Sequence, residues 1–157
     1  MIPVTHRDGR ENSEGMALMR RMVLSRAFPD EDDAYRDEHL NEIFDAEETL
    51  DRLCRISGGH VRNFLILLHL CIKRQKTLPI SRQMLEELIR EDRNEQTRSL
   101  SDEDWELLRQ VRRDKKTRKS ELFQYLQRQM FVFEYQDRDG AWADINPVLG
   151  EAAEMKQ

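Results

Sequence analysis

The hydrophobic residues in the first half of the chain recur with the spacing of amphipathic helices. The first such helix has Ser13 as its predicted N-cap and Pro29 as its stop. The acidic segment 30–37 that follows predicts a solvated loop, and residues 38–44 predict a short helical piece. The inner face of the first helix is predicted to carry Met16, Met19, Met22 and Val23.

A second helix is predicted to begin after Asp45 and to end at Gly58. Asp45 can cap it, and Glu48, three residues on, would complete a capping box. Glycine at the end of a helical pattern is a common C-terminal signal. The buried stripe of this helix is predicted to consist of Leu50, Leu53, Cys54 and Ile56.

The third helix is predicted to run from Gly59 or His60 to about Gln75. Residues 64–72 are apolar nearly all round, which is typical of the central, most buried helix of a bundle. Its C-terminal end carries basic side chains, as the helix dipole favours. These are Lys73, Arg74 and Lys76.

A second pattern follows the break at residues 78–80. Three successive helices are predicted. Ser81 and Ser101 are the predicted N-caps of the first two, and the third has Ser120 near its start. The apolar period then changes to two, and residues 131–135 and 141–145 predict the strands of a hairpin whose turn spans 137–140. Three helices followed by a hairpin is the order of a winged-helix unit. The inner faces of the second and third of these helices are predicted to carry Trp105, Leu107, Leu108 and Val111, and Leu122, Phe123, Tyr125 and Leu126.

These patterns predict a mainly α protein with two parts. Residues 1–80 form a helical bundle, residues 81–150 form a winged-helix domain with a small β-hairpin, and residues 151–157 form a frayed tail. A chain of 157 residues is long enough for one ordinary domain or two small ones.

Composition narrows the class of protein. Only 6 Gly and 4 Pro are present, which excludes collagen-like and Pro-rich disordered chains. The net charge of −5 argues against a general nucleic-acid-coating protein, although a local basic patch is compatible with it. Cys54 and Cys71 lie in apolar helical patterns without metal-ligand spacing, so we expect reduced, buried thiols and a cytoplasmic protein. No apolar run is long enough to span a bilayer, so no membrane partner is expected.

The segment Gly58-Gly59-His60-Val61-Arg62 carries the clearest chemistry in the chain. Glycine lacks the Cβ that keeps a ligand away from the backbone, and a helix N-terminus favours negative charge. An arginine one turn into the helix adds a planar, permanently charged fork that suits phosphate. This segment therefore predicts an anion-sensing site.

Residues 57–65, with the sequence SGGHVRNFL, closely resemble the second-sensor helix of AAA+ ATPases, in the branch of bacterial P-loop ATPases with a C-terminal winged helix. Residues 4–10 resemble the segment that leaves the last strand of the ATPase core, and residues 13–75 resemble its helical lid. Residues 133–149 resemble the wing, with Asn146 where relatives often carry histidine before proline.

The resemblance implies a role that the chain cannot complete alone. Arg62, with Gly58, Gly59 and His60, would sense a nucleotide when the lid closes, and ATP and magnesium would be cofactors of the parent protein. The chain has no G-x-x-x-x-G-K-[ST] phosphate loop and no hydrophobic strand ending in paired acidic residues. We therefore expect a non-catalytic C-terminal fragment that lacks its ATPase core and that has neither bound cofactor nor ATPase activity of its own. Its expected partners are that core and another protein or a neighbouring subunit.

A structural interpretation of the same residues stays open. Gly58 and Gly59 can be a helix C-cap and turn, Arg62 can be a surface cation, and His60 can cap the helix that follows. His6, His39 and His69 are scattered without metal-ligand spacing, so no metal site is predicted.

A basic cluster precedes the third helix of the predicted winged-helix unit. It could contact DNA phosphates or a protein partner, or it could be a solvated turn. The overall negative charge makes DNA the less favoured partner. The alternative function is therefore a winged-helix DNA-binding or regulatory adaptor protein with a helical dimerisation module, and a third is a pure protein-interaction module. The cluster consists of Arg112, Arg113, Lys115, Lys116, Arg118 and Lys119.

Overall fold

The computed structural model describes residues 1–157 and contains eight α-helices and one β-hairpin. The mainly α fold class with a small hairpin near the C-terminus is confirmed. The helices are α1 Ser13–Ala27, α2 Asp33–Glu38, α3 Glu47–Ser57, α4 Val61–Gln75, α5 Arg82–Arg98, α6 Asp102–Asp114, α7 Glu121–Arg128 and α8 Pro147–Gly150. The strands are β1 Val132–Asp137 and β2 Gly140–Ile145, and 3₁₀ helices form at Leu40–Glu42 and Ala153–Lys156.

The chain divides into two compact units, Met1–Arg90 and Glu91–Gln157. The division falls inside α5, ten residues beyond the predicted boundary at residue 80. The first unit is called unit 1 below and the second unit 2. None of the helices in the structure combines the length and the apolar character that a membrane crossing needs.

In unit 1, α3 packs against both α1 and α4. The polypeptide between α4 and α5 is tied to the segment before α3, because Ile80 donates its N–H to the carbonyl of Ile43 and accepts from the N–H of Asp45. The core of unit 1 is formed by large, fully buried side chains. They include Met19, Phe44, Leu50, Leu53, Ile56, Phe64, Leu67 and Ile80.

Two predicted helix starts in unit 1 are wrong. Asn12, rather than Ser13, caps α1, and its side chain accepts the N–H of Gly15. Helix α3 begins after Ala46 without a side-chain cap. Asp45 instead accepts hydrogen bonds from the Thr49 hydroxyl and the Arg82 N–H. The carboxylate therefore binds a residue far along the chain, and the predicted capping box with Glu48 does not form.

The predicted solvated loop at 30–37 is also wrong in part, because α2 forms within it. Asp32 caps this helix by accepting the N–H of Tyr35, and the Tyr35 ring stacks on His39 with ring centroids 3.7 Å apart. An acidic N-cap and a local aromatic pair stabilise this short helix. The many charged residues of the segment had favoured the prediction of a loop.

Helix α4 is not the most buried helix of the bundle, contrary to its apolar sequence. Only Asn63, Phe64, Leu67 and Cys71 are buried along it. Ile66 and Leu70 remain 44% and 39% exposed. Unit 1 covers one face of α4 and leaves the other face open.

Unit 2 follows the predicted order of helices and hairpin. Ser101 and Asp104 form a capping box at the start of α6, and Ser120 caps α7 by accepting the N–H of Phe123. The antiparallel hairpin pairs Val132 with Ile145 and Tyr135 with Trp142. One face of the hairpin joins the core of unit 2, and the aromatic residues Phe133, Tyr135 and Trp142 are buried on the other.

Two other predictions for unit 2 are wrong. Tyr125 is 43% exposed rather than part of the inner face of α7. The tail after Gly150 is not frayed, because Ala152 is buried and Arg93 forms an ion pair with Glu151 at 2.5 Å. Arg109 also donates to the carbonyl of Glu154, 3.0 Å away.

Candidate functional site

The turn at Gly58-Gly59 connects α3 to α4, and the close approach of another segment requires glycine at position 59. Gly58 ends α3 with φ +66°, and Gly59 follows with φ +80°, both in the left-handed region that glycine adopts most easily. The N-terminal segment passes directly over this turn, and the Ile2 N–H donates to the Gly59 carbonyl at 2.9 Å. A Cβ on Gly59 would lie 1.8 Å from the carbonyl oxygen of Ile2. Gly59 therefore admits a backbone segment of the same chain.

Most amides at this turn are already satisfied inside the protein. The buried Ser57 hydroxyl donates to the Cys54 carbonyl at 2.7 Å and accepts the Gly59 N–H at 3.1 Å. The His60 N–H donates to the Ser57 carbonyl. Since these N–H groups have internal acceptors, the turn does not form an open cradle of amides for an anion.

His60 is the N-cap of α4. Its Nδ1 accepts the N–H of Asn63 at 3.3 Å, which requires that Nδ1 carries no proton. Partial burial lowers the pKa of His60, and the positive charges of the chain's amino terminus and of Arg62 lower it further. The neutral imidazole that results is the form that can cap. The structural role that the sequence suggested for His60 is confirmed.

Arg62 lies on the first turn of α4 with its side chain exposed. It forms no ion pair, and the first turn of α4 contains no acidic residue. The helix dipole disfavours a cation at this end of a helix. An anion placed here would be attracted both by the guanidinium and by the helix terminus. Of the four predicted sensing residues, Arg62 is the one whose polar group faces solvent without a partner.

The position of the N-terminal segment over this turn was not predicted from the sequence. Ile2 and Pro3 lie between Gly59 and Gly15, and a Cβ on Gly15 would lie 1.9 Å from the Pro3 carbonyl oxygen. An isolated glycine inside a helix was the one available signal, since such a residue often has a packing reason. Asn63 is a second missed feature, because its side-chain amide nitrogen is buried without a hydrogen-bond partner.

The structure contains no cluster of three or more His, Cys, Asp or Glu residues that could hold a metal ion. Cys54 and Cys71 are both free and buried. Burial raises the pKa of the Cys54 thiol to about 12 and that of the Cys71 thiol to about 11. These thiols are therefore protonated at neutral pH and belong to the core.

The basic cluster of unit 2 is partly neutralised by its own unit. The Lys115 ammonium lies 2.5 Å from a carboxylate oxygen of Asp144, and Arg118 lies 2.5 Å from Asp114. The Lys115 carbonyl also accepts the N–H of Ala143, so this segment is held against β2. The remaining cations are exposed and form no ion pair. They are Arg112, Arg113, Lys116 and Lys119.

The other exposed polar side chains of α7 and of the hairpin turn are mixed in charge. Helix α7 exposes Glu121, Gln124 and Arg128, and the turn of the hairpin carries Asp137 and Asp139 beside one arginine. Carboxylates at the tip of a hairpin oppose the approach of a phosphate backbone.

The comparisons with known proteins found no relative of this chain. No protein-family model, no curated protein and no solved structure matches this chain. The likeness of residues 57–65 to a second-sensor helix therefore stays a resemblance, and the functional conclusion depends on the geometry described above.

Proposed function

We propose that this chain is the non-catalytic C-terminal region of an AAA+-like ATPase. Unit 1 would be a helical lid in which Arg62 senses the nucleotide held by a core that the chain does not contain. Unit 2 would be a winged-helix domain that transmits the state of the lid to a protein partner or a neighbouring subunit. ATP and magnesium would bind the parent protein, and the buried, protonated thiols fit a cytoplasmic location.

The placement of Arg62 is the observation that carries this proposal. Its guanidinium is exposed at the N-terminal end of α4, where the helix dipole opposes it and where no carboxylate offsets the charge. Contact with a phosphate would convert this unfavourable position into a charge-assisted hydrogen bond, worth about 1.5–3 kcal/mol. Closure of the lid on a triphosphate would then be favoured over closure on a diphosphate.

The order of elements gives further support. A helical bundle that contains α1, α3 and α4 is followed along the chain by α6, α7 and the hairpin. The missing phosphate loop and magnesium-binding carboxylates also fit a region that senses nucleotide but does not hydrolyse it.

The first experiment identifies the native polypeptide. An epitope tag inserted at the C-terminus in the source organism allows purification of the protein and sequencing of its peptides. We expect a polypeptide larger than 18.8 kDa with a phosphate loop, or a tightly bound protein that carries one. A native product of 18.8 kDa that co-purifies with no P-loop protein would overturn the proposal.

The second experiment tests Arg62 in that native ATPase. Loss of a contact worth about 1.5–3 kcal/mol predicts a fall in ATP turnover of roughly 10- to 100-fold for Arg62→Ala. The matched control is Arg26→Ala, since Arg26 is also an exposed helical arginine of unit 1 without an ion pair. Equal effects of the two substitutions would contradict a sensing role for Arg62.

A second candidate function is duplex DNA binding by unit 2. It is favoured by the four exposed, unpaired cations of the basic cluster and opposed by the acidic turn of the hairpin. If it is correct, the chain binds duplex DNA with an affinity that falls steeply as salt rises, and Lys116→Ala with Lys119→Ala weakens that binding and reduces its salt dependence. The first candidate predicts no such binding.

A further inference from the structure

The open face of α4 is an apolar patch on the surface of unit 1. Phe64, Leu67 and Cys71 face the core, whereas Ile66 and Leu70 are large apolar side chains left exposed. Exposed contiguous apolar surface of this kind marks an interaction site more often than scattered apolar residues do. The patch is formed by residues of α4 alone, namely Val61, Arg62, Leu65, Ile66, His69 and Leu70.

The exposed residues have the spacing of a helix that packs against another helix. Arg62, Ile66, His69 and Lys73 follow one another at steps of four, three and four residues, and Leu70 lies beside Ile66 one turn on. At 3.6 residues per turn such steps keep side chains on one narrow stripe. The same alternation forms the contact seam between packed helices. The shape of this surface therefore fits a helical partner.

The charges on this stripe have one sign. Helix α4 contains no acidic residue, although the chain as a whole carries a net charge of −5. Arg62 lies at one end of the apolar surface, and Lys73 lies at the other, about 16 Å further along the helix axis. Lys76 follows directly after the helix, and none of these three cations forms an ion pair. The surface is apolar in the middle and cationic at both ends.

We propose that this face of α4 docks an amphipathic helix of another protein, one that carries apolar residues in its centre and carboxylates near both ends. The apolar residues would pack on the patch beside Ile66 and Leu70, and the carboxylates would meet Arg62 at one end and Lys73 and Lys76 at the other. The proposal concerns the chain without nucleotide and does not depend on the ATPase assignment.

A second copy of the chain fits this face poorly. A symmetric contact would lay the α4 stripe of one copy along that of the other. Because both ends of the stripe are positive, cations would oppose cations in either the parallel or the antiparallel arrangement, which is unfavourable. The complementary partner must be acidic at both ends.

The test uses two synthetic peptides of about 20 residues, rich in alanine so that they are helical in isolation. Both carry leucines at steps of four, three and four residues. One has glutamates at both ends and the other has lysines at the same positions. Binding of each labelled peptide to the full chain is measured by fluorescence anisotropy without nucleotide. We expect the glutamate peptide to bind at least about 10-fold more tightly than the lysine peptide.

Three variants locate the binding site. Ile66→Asp should reduce binding of the glutamate peptide at least about 10-fold. Leu18→Asp on α1 is the matched control, because Leu18 is 45% exposed and Ile66 is 44% exposed. The double variant Lys73→Glu with Lys76→Glu should remove most of the preference for the glutamate peptide, because carboxylates then lie at one end of the stripe while Arg62 remains at the other. Circular dichroism checks that each variant is folded.

Several results would overturn the proposal. Equal affinity for the two peptides would show that charge complementarity plays no part, and equal loss from Ile66→Asp and Leu18→Asp would place binding elsewhere. Self-association in sedimentation that Ile66→Asp abolishes would assign the face to a second copy. Co-sedimentation with vesicles of anionic phospholipid, likewise abolished by Ile66→Asp, would assign it to a membrane surface.

Discussion

The close approach of Ile2 to Gly59 makes a sharp prediction about stability. Substitution Gly59→Ala places a Cβ 1.8 Å from the Ile2 carbonyl oxygen on a backbone with φ +80°. The left-handed conformation costs a non-glycine residue about 1–2 kcal/mol. Because the N-terminal segment must also move away, the hydrogen bond from the Ile2 N–H to the Gly59 carbonyl is lost, at about 0.5–1.5 kcal/mol. We expect Gly59→Ala to lower the free energy of unfolding by about 1.5–3.5 kcal/mol.

Two other glycines separate backbone strain from steric contact. Gly9 has φ +89° and no heavy atom within 4 Å of its Cβ position, so Gly9→Ala adds strain without a clash. Gly15 lies in α1, and its Cβ would meet only the Pro3 carbonyl oxygen at 1.9 Å and atoms near it. Gly15→Ala therefore adds a clash without strain. Any effect of alanine on the entropy of the unfolded chain is shared by all three substitutions.

Chemical denaturation measured with two probes provides the assay. Trp105 and Trp142 both lie in unit 2, whereas far-ultraviolet circular dichroism reports the helices of both units. We expect Gly59→Ala to shift the transition measured by circular dichroism and to cost at least about 0.5 kcal/mol more than Gly9→Ala.

A chain that starts at Val4, released from a fusion by proteolysis, completes the design. Without Ile2 and Pro3 the steric contacts are gone, so the cost of Gly59→Ala should fall to that of Gly9→Ala. Gly15→Ala should then become stabilising by about 1 kcal/mol, because alanine is the better helix former. If Gly59→Ala and Gly9→Ala cost the same in the full chain, the reasoning about the N-terminal segment is refuted.

Four further predictions concern caps, protonation, the tail and catalysis. Asn12→Ala should destabilise the chain by about 1 kcal/mol in denaturation, and Ser13→Ala should have little effect, because Asn12 is the cap of α1. Burial lowers the pKa of His60 in the folded state, so the unfolded chain binds the proton more tightly. The free energy of unfolding should therefore fall as the pH drops below the ordinary histidine pKa near 6.5. The variant His60→Asn, which can still cap α4, should show a weaker pH dependence when denaturation is measured at several pH values. Removal of residues 151–157 should lower the midpoint of the tryptophan fluorescence transition, since it deletes buried Ala152 and the partner of Arg93. The purified chain should show no ATP hydrolysis in a phosphate-release assay, and steady turnover that Arg62→Ala abolishes would contradict the proposed function.

Much of the secondary structure was predictable because its signals are local. The caps at Ser101 and Ser120 each act on an N–H three residues along the chain. The hairpin follows from an apolar period of two on both sides of a turn at residues 137–140. The cap at His60 and the end of α3 at Gly58 depend on the same short range. Physical causes that lie within one turn of a helix leave a signal in the sequence, although adjacent residues such as Asn12 and Ser13 can compete for the same cap.

The surface of α4 shows where local patterns fail. Its apolar run predicts burial all round, but burial depends on which other elements reach each face. Unit 1 covers the side with Phe64 and Leu67 and leaves Ile66 and Leu70 exposed. The unusually apolar character of this helix can be read from the sequence, whereas the exposure of Ile66 and Leu70 depends on how the other elements of unit 1 pack.

The features of the candidate site also fall into two groups, those that depend on neighbouring residues and those that depend on contacts between distant parts of the chain. The sequence shows that Arg62 follows a glycine pair and a histidine at the start of a predicted helix, because all of these residues are neighbours. The approach of Ile2 to Gly59 and the pairing of Asp144 with Lys115 exist only in the folded chain. Steric contacts and ion pairs act between atoms that are close in space, and the chain brings residues 2 and 59, or 115 and 144, together only when it folds.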